Sequence, residues 1–409
     1  MRRSRVTAWW RTVAGVLLGC LAGSSALTAA TAAAGAAPTA ATPPVPTPTG
    51  TAPTVAATVA ATSSPRVRAA QSYTALQHNY YVASESLYSG TPTNSCSTYS
   101  CLWPFTNATA GTVFLAATPG ESRFLPGVTA RRVGLGHYAD DAEVSPSGAP
   151  QPPAYQSAAA PPLGPGGATY FDDNAWVGLD LVHAYEVTSD ATYLAMAQNE
   201  FNYVVTGWDT NSADGCPGGI YWEDVAGSQR NATANGANAE LGAELDLLTH
   251  DATDLVWAEY MYGWTVNCLG TSSGLYDDHV QPNGTVNTTI WSYNQGVMVG
   301  AGVLLHQATG TASYLTQAEQ TANAAVTYFG SGSLLDNQGT AFNAIYFRDL
   351  FLLSQVAPNS AYAAEATSFG ATMWSQRQST GLFNPQYGVN GTAPMVELYA
   401  LLAGSPPTP

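Results

Sequence analysis

Apolar residues recur at helical spacing along most of the chain from about residue 69 to residue 403, and few segments alternate in the manner of a strand. The clearest pattern is that of residues 314–329, whose apolar positions are Leu315, Ala318, Ala322, Ala325, Val326 and Phe329. Residues 296–305, just before it, are apolar almost all round, which is typical of a buried helix. The pattern therefore predicts buried inner helices covered by amphipathic outer helices.

A short repeated motif marks the junctions between these two kinds of segment. Its copies begin at Thr188, Thr249 and Thr309, which are 61 and 60 residues apart, and a weaker copy covers residues 357–366. Each copy predicts a tight turn in which an inner helix ends and a capped outer helix begins.

The repeat length predicts the number of units. Residues 69–403 divide into six units of about 56 residues each. We therefore expect an all-α fold, an (α/α)6 toroid of six inner and six outer helices, with an open helical solenoid as the alternative. Residues 69–166 lack the motif, so helices are assigned there only by elimination.

The N-terminal segment has the features of an export signal. A basic start precedes an apolar run and a stretch of small residues, so we expect a signal peptide over residues 1–37 and a secreted protein without a transmembrane segment in the mature chain. Lipoprotein anchoring at Cys20 is a minor alternative. We expect an Ala/Thr/Pro-rich linker over residues 38–67, the (α/α)6 domain over 68–404 and a short Pro-rich tail over 405–409.

Four cysteines remain once Cys20 is assigned to the leader: Cys96, Cys101, Cys216 and Cys268. In an oxidising compartment an even number of cysteines indicates disulfides. The close pair Cys96 and Cys101 forms a local loop, which leaves Cys216 for Cys268. A zinc site is disfavoured because no Cys-x-x-Cys pair or nearby His supplies ligand spacing.

The charge balance excludes several chemistries. All 12 basic residues are Arg, so a Walker A loop and a pyridoxal Schiff base are both impossible without lysine. Without the four leader arginines the formal charge is 8 − 28 = −20, which makes nucleic acid and anionic membranes poor partners. The 22 Tyr and 10 Trp suit a protein that handles neutral, hydroxyl-rich molecules. We expect no cofactor and no metal, and a monomer.

Polar residues stand at the start of two inner helices. Residues 171–176 correspond to residues 292–297 at an offset of 121, which aligns Asp172 and Asp173 with Tyr293 and Asn294. Two neighbouring carboxylates do not readily both ionise, so one can serve as an acid and the other as a nucleophile. The alternative is that both only cap the helix and complement its dipole.

Further candidate residues lie in the loops that lead into inner helices. The glycine-rich segment 216–222 ends in Tyr221 and Trp222, whose flat rings suit stacking on sugars. Trp176 lies one turn beyond Asp172, and Asp278 belongs to another such loop. For both tryptophans the alternative is a structural role inside the toroid.

Four motifs in order resemble the signature of glycoside hydrolase family 76: residues 171–179, 218–222, 230–236 and 291–296. The resemblance covers about half the chain, roughly residues 166–374. It implies an (α/α)6 fold and endo-acting α-1,6-mannanase activity, and related members are cell-wall transglycosylases of fungi. Two departures stand out, namely Tyr221 in place of a second Trp and a Pro- and Ala-rich insert over residues 145–167.

The resemblance also implies roles for individual residues. Asp172 becomes the nucleophile and Asp173 the general acid/base of a retaining double displacement. The residues expected to hold mannose units of an α-mannan or manno-oligosaccharide are Trp176, Tyr221, Trp222, Asp278, Tyr293, Asn294 and Gln295.

Two other functions remain open on the same fold. A transglycosylase would share the covalent intermediate, and a non-catalytic glycan-binding toroid would bind mannan without cleaving it. A polysaccharide lyase is disfavoured because eight arginines in a chain of charge −20 supply little positive charge to neutralise a uronate.

Overall fold

The computed structural model of the chain describes residues 63–91, 94–140, 152–330, 334–406 and 408. The predicted signal peptide, with Cys20, and residues 38–62 of the predicted linker lie outside these ranges. The first helix begins at Pro65 and not at the predicted domain boundary of residue 68, because Ser64 caps it by accepting a hydrogen bond from the Val67 N–H.

Twelve α-helices lie in the part of the chain that the structure describes. In chain order they are α1 (Pro65–Tyr80), α2 (Leu102–Ala117), α3 (Leu125–Leu135), α4 (Phe171–Thr188), α5 (Ala191–Val204), α6 (Ala232–Thr249), α7 (Ala252–Leu269), α8 (Ser292–Thr309), α9 (Ala312–Phe329), α10 (Thr340–Val356), α11 (Ser360–Gln376) and α12 (Val389–Leu402).

The even-numbered helices form a closed inner ring. Each packs on the next even-numbered helix, and α12 packs against α2, so the ring has no open end. The predicted (α/α)6 toroid is confirmed and the open solenoid is wrong. The N-terminal helix α1 packs on α12 and thereby serves as the outer partner of the last inner helix in the chain.

Burial follows the predicted division between the two layers. In α8 every residue from Asn294 to Leu305 is buried, as expected for a helix packed on all sides. In α9 the buried residues are Ala318, Thr321, Ala322, Ala325 and Phe329, which lie on one face.

The repeated motif forms the predicted turn in all three full copies. The threonine hydroxyl accepts a hydrogen bond from the N–H two residues later and donates to the carbonyl four residues earlier. The residue that directly follows the threonine adopts a left-handed conformation and ends the inner helix. These residues are Ser189, His250 and Gly310. In the first two copies the following aspartate, Asp190 or Asp251, caps the outer helix.

Short antiparallel strands join the helices. They are β1 (Tyr81–Val82), β2 (Leu87–Thr91), β3 (Asn94–Tyr99), β4 (Ala139–Asp140), β5 (Ala154–Tyr155), β6 (Arg230–Asn231), β7 (His279–Val280) and β8 (Val286–Asn287). They pair as β1-β2-β3, β4-β5 and β6-β7-β8. The described part of residues 69–166 thus contains most of α1, all of α2 and α3, and also five short strands, which an assignment by elimination does not predict.

Both predicted disulfides are present, Cys96 with Cys101 and Cys216 with Cys268. The second ties the loop before α6 to the C-terminal end of α7. None of the helices described here is both long enough and apolar enough to cross a lipid bilayer.

Candidate active site

A cleft opens at the end of the toroid where the inner helices begin. Its volume is about 390 Å³, within the range of small-ligand sites. We call it the catalytic cleft, and its lining residues are Trp103, Tyr170, Asp172, Asp173, Trp176, Trp222, Gln229, Asn231, Asp278, Tyr293 and Phe342. The predicted convergence of α4 and α8 at one site is therefore seen, through Asp172, Asp173 and Tyr293.

The two adjacent aspartates lie in the first turn of α4. The residue before the helix, Tyr170, occupies the N-cap position without a side-chain capping bond. Asp172 Oδ1 accepts a hydrogen bond from the Asp173 N–H at 3.0 Å, and its Oδ2 accepts one from Trp222 Nε1 at 3.1 Å. Both carboxylates line the cleft, so capping alone does not account for them.

Burial raises the pKa of both aspartates, but their surroundings differ. The pKa of Asp172 rises to about 7 because burial outweighs the hydrogen bonds from the Asp173 N–H and from Trp222, and the charge of Asp278 adds to the rise. The pKa of Asp173 rises well above its ordinary value through burial and through the negative charge of Asp172. The two carboxyl groups therefore do not readily ionise together, and the two hydrogen bonds to Asp172 favour the negative charge on that residue.

A third carboxylate, Asp278, stands just before β7. His279 Nδ1 lies 2.9 Å from its Oδ2, and Asn294 Nδ2 donates to its Oδ1 at 3.3 Å. Asp278 lines the catalytic cleft, whereas Asn294 is fully buried behind it. Asn294 therefore positions Asp278 and is not placed to contact a sugar directly, unlike the prediction.

The fourth residue of four inner helices anchors the loop that precedes the helix. Its side chain accepts from the N–H and donates to the C=O of one loop residue, at 2.7–3.4 Å. The pairs are Asn174 with Tyr155, Asn235 with Ile220, Gln295 with Tyr276 and Thr392 with Phe383. These bonds fix the loops that carry the cleft residues.

Gln295 is one of these anchors and not a cleft residue. Its exposed fraction is 0%, and its amide also donates to the Trp291 carbonyl at 3.0 Å. The prediction that it holds mannose is replaced by a positioning role, because its polar atoms are already bonded to the backbone.

Tyr221 also points away from the cleft lining. Its hydroxyl donates to Asp209 Oδ1 at 2.8 Å, and Arg230 Nη1 donates to the other carboxylate oxygen of Asp209. Arg230 further donates to the Gly215 carbonyl at 2.8 Å. Tyr221 is thus part of a buried network that shapes the glycine-rich loop, and the neighbouring Trp222 is the residue that faces the cleft.

Aromatic rings form much of the cleft wall. Tyr293 stacks on Phe342 with ring centroids 4.0 Å apart and planes at 9°. Tyr170 lies against Trp222 at 4.8 Å, and Trp103 against Trp176 at 5.6 Å. Trp176 is only 5% exposed, so it serves mainly as the cleft floor. Such a wall offers apolar faces to the C–H surfaces of a sugar ring.

Five lining residues were not among the predicted site residues: Trp103, Tyr170, Gln229, Asn231 and Phe342. A signal for two of them exists in the chain. Trp103 is the second residue of α2, the position that Asp172 has in α4 and Tyr293 in α8, and Phe342 is the third residue of α10. The second residues of α2, α4 and α8 and the third residues of α4 and α10 line the cleft, but this register is not apparent in the sequence where the repeat motif is missing.

In the ranges that the structure describes, no three His, Cys, Asp or Glu side chains are arranged to hold a metal ion. A closed (α/α)6 toroid with two neighbouring carboxylates in an aromatic-lined cleft is the architecture of a class of carbohydrate-active enzymes. The model of glycosyl hydrolase family 76 matches residues 66–388, and the chain belongs to this family. The resemblance seen in the four motifs is confirmed.

Curated relatives match about half of the chain. Mannan endo-1,6-alpha-mannosidase DCW1 of Saccharomyces cerevisiae is 28% identical over 215 residues, which are 46% of this chain and 47% of the relative. DFG5 of the same yeast, which carries the same enzyme name, is 29% identical over 188 residues, 41% of this chain and 40% of the relative. The chain spans about half the length of the curated relatives it matches.

Solved structures share the fold at low sequence identity. A family 76 mannosidase from Bacteroides thetaiotaomicron superposes with a TM-score of 0.71 at 23% identity, covering 83% of this chain and 98% of that one. An α-1,6-mannanase from Salegentibacter sp., in complex with α-1,6-mannotriose, has a TM-score of 0.67 at 21% identity, covering 83% and 99%.

Proposed function

We propose that the protein is a retaining endo-α-1,6-mannanase that cleaves mannan backbones or manno-oligosaccharides without a cofactor. The observation that carries this proposal is the pair Asp172 and Asp173, adjacent in α4, both in the cleft and differently hydrogen bonded. The aromatic rings around them suit a neutral sugar.

In the proposed cycle Asp172 is the nucleophile. Its carboxylate attacks the anomeric carbon while Asp173 gives its proton to the departing glycosidic oxygen, so one carbon–oxygen bond forms as another breaks. Asp173 then takes a proton from water, which displaces Asp172 and releases the sugar. The two hydrogen bonds that stabilise the Asp172 anion, and the rise in the pKa of Asp173 caused by burial and by the charge of Asp172, support this division of roles.

The relatives support the substrate class. Those at 28% and 29% identity are named mannan endo-1,6-alpha-mannosidases. The Salegentibacter structure that contains α-1,6-mannotriose is described as an inactive variant in which two aspartates are replaced by asparagine. An essential aspartate pair in that protein agrees with the roles proposed for Asp172 and Asp173.

Replacing either aspartate tests the assignment. We expect Asp172→Asn and Asp173→Asn to lower kcat on linear α-1,6-mannan by at least about a hundredfold, the low end of what a positioned acid or base contributes. Chromatography of the released oligosaccharides measures this. The control is Asp336→Asn, an exposed aspartate outside the cleft lining, which we expect to keep full activity.

The outcomes separate the alternatives. Undiminished cleavage by either cleft variant would overturn the site assignment. Products longer than the substrate would indicate transglycosylation through the same intermediate. Saturable mannan binding by the unaltered protein, with no product, would indicate the glycan-binding alternative.

Export of the protein is also part of the proposal. The two disulfides support an oxidising compartment, and the predicted signal peptide over residues 1–37 would direct the chain there. The Ala/Thr/Pro-rich linker would then precede the catalytic domain, whose first helix begins at Pro65.

A further inference from the structure

A second cavity adjoins the catalytic cleft. Its volume is about 420 Å³, close to that of the cleft itself. Trp103 and Phe342 line both spaces, so the two are neighbours across these rings. We call the second one the distal cavity, and its other lining residues are Gly339, Thr340, Ala341, Gln386, Tyr387 and Asn390.

The lining of the distal cavity carries no charged side chain. Two of the three aromatic residues in this lining pack against other rings. The ring centroid of Phe342 lies 4.0 Å from that of Tyr293, and the centroid of Trp103 lies 5.6 Å from that of Trp176. Both ring partners also line the catalytic cleft. An uncharged, partly aromatic surface favours a neutral, hydroxyl-rich ligand over an anion or a cation.

The third aromatic residue, Tyr387, is 55% exposed and lies on a short loop before α12. The backbone of this loop is folded on itself, since the Tyr387 N–H donates to the Asn384 carbonyl at 2.9 Å and Asn384 adopts a positive φ of 40°. Asparagine tolerates this conformation better than most residues.

The loop is also fixed to α12. Thr392, the anchor residue of that helix, bonds both the N–H and the C=O of Phe383. Gly391 packs so closely that an added Cβ would lie 2.3 Å from the Phe383 carbonyl oxygen. A loop held in this way presents Tyr387 in a defined place, which reduces the entropy lost on binding.

A polar group faces the same cavity. Asn390 Oδ1 accepts a hydrogen bond from Asn107 Nδ2 at 3.3 Å, and Asn107 Nδ2 also donates to the Trp103 carbonyl at 2.8 Å. Because the oxygen of Asn390 is engaged, its amide nitrogen is the end that remains for a ligand hydroxyl.

We propose that the distal cavity is a sugar subsite that holds mannose units beyond those at the aspartate pair, with Tyr387 as the stacking surface and the Asn390 amide as a hydrogen-bond donor to a sugar hydroxyl. This inference rests on the proposed function and deepens it, because it assigns the residues that set the preference for chain length. Because Trp103 and Phe342 line both cavities, we expect one chain of sugars to pass from one to the other.

The test compares a short and a long substrate. We expect Tyr387→Ala to lower the ratio of kcat/KM for α-1,6-mannohexaose over α-1,6-mannotriose by about fivefold to tenfold, the range expected for loss of one stacking contact. Tyr387→Phe should keep most of the ratio because the ring remains. The measurement is initial rates of product release for each substrate.

Tyr260→Ala is the matched control. Tyr260 is similarly exposed, at 58%, but lies in the outer helix α7 away from both cavities, so the ratio should not change. An unchanged ratio in Tyr387→Ala, or an equal loss on both substrates, would overturn the distal subsite. If the unaltered protein cleaved neither substrate, the proposed function itself would fail.

Discussion

At the scale of single residues, the indole of Trp222 distinguishes two carboxylates that are neighbours in the chain. Its Nε1 donates to Asp172, and a hydrogen bond to an anion favours the charged form of that group. The bond from Trp222 opposes the rise in the pKa of Asp172 that burial causes, whereas the charge of Asp172 adds to the rise in the pKa of Asp173. Trp222 thus both lines the cleft and stabilises the anionic form of Asp172.

Replacing Trp222 by Phe keeps a ring but removes the N–H. The Asp172 anion loses a stabilising bond, so the pKa of Asp172 should rise and a higher pH should be needed to ionise it. We expect the acid limb of the profile of kcat/KM against pH to move upward by about one pH unit, given the usual strength of hydrogen bonds to charged groups at partly exposed sites.

The control for this change is Trp257→Phe. Trp257 packs on Trp208 and Tyr260 at the outer helix α7, so the loss of its indole should leave the profile in place. An acid limb that stays fixed in Trp222→Phe would mean that Trp222 does not influence the ionisation of Asp172.

Sequence reasoning identifies the polar positions at a helix start more readily than the direction of each side chain. Asp172 and Asp173 were predicted to face the cleft, and they do. Asn294 and Gln295 belong to the same type of segment but turn toward Asp278 and toward the preceding loop. One residue along a helix rotates a side chain by about a quarter turn, and no local pattern shows which rotation meets the cleft.

At the scale of elements, the chemistry of the turn motif explains why the repeat can be recognised in the sequence. Three requirements meet within four residues: a hydroxyl that closes the inner helix, a residue in the left-handed conformation and a residue that begins the outer helix. Only a few residue types meet each requirement. The α10 to α11 junction lacks the left-handed residue, since Ala357 has φ −133°, and its copy is accordingly weak.

Gly310 provides a direct test of this turn. It has φ 70°, and an added Cβ would meet no atom within 4 Å. Gly310→Ser should therefore lower the free energy of unfolding through backbone strain alone, by about 1 kcal/mol. Urea unfolding followed by circular dichroism measures the change.

The same substitution at Gly339 is the control. There too an added Cβ meets no atom within 4 Å, but φ is −66° and the residue is the N-cap of α10, where serine is favoured. Gly339→Ser should be neutral or stabilising. Equal stability of Gly310→Ser and Gly339→Ser would contradict the account of the turn.

At the scale of the whole molecule, ring closure is the property least visible in the sequence. The repeat length predicted six units, but the sixth hairpin is not contiguous, since α1 from the start of the chain covers α12 near its end. The α2 to α3 junction uses a different connection, with a 3-10 turn at Ser122–Phe124. The repeat motif is absent from this junction for that reason.

Buried charges inside the ring connect its helices below the cleft. Arg348 of α10 donates to Asp349 at 3.0 Å and to Glu240 of α6 at 3.3 Å, and its guanidinium lies 6.0 Å from the ring of Trp176. Such pairs are costly to break because the remaining charge is left buried. The cleft floor is thereby supported by contacts that sequence periodicity does not reveal.

In the proposed mechanism, Asp172 and Asp173 carry out two successive displacements at the anomeric carbon. The most direct measurement is proton NMR of the reducing end released from α-1,6-manno-oligosaccharide in the first minutes of reaction. Two displacements predict that the α anomer forms first and then mutarotates to the mixture. Initial release of the β anomer would show a single displacement and would contradict the assignment of Asp172 as a nucleophile.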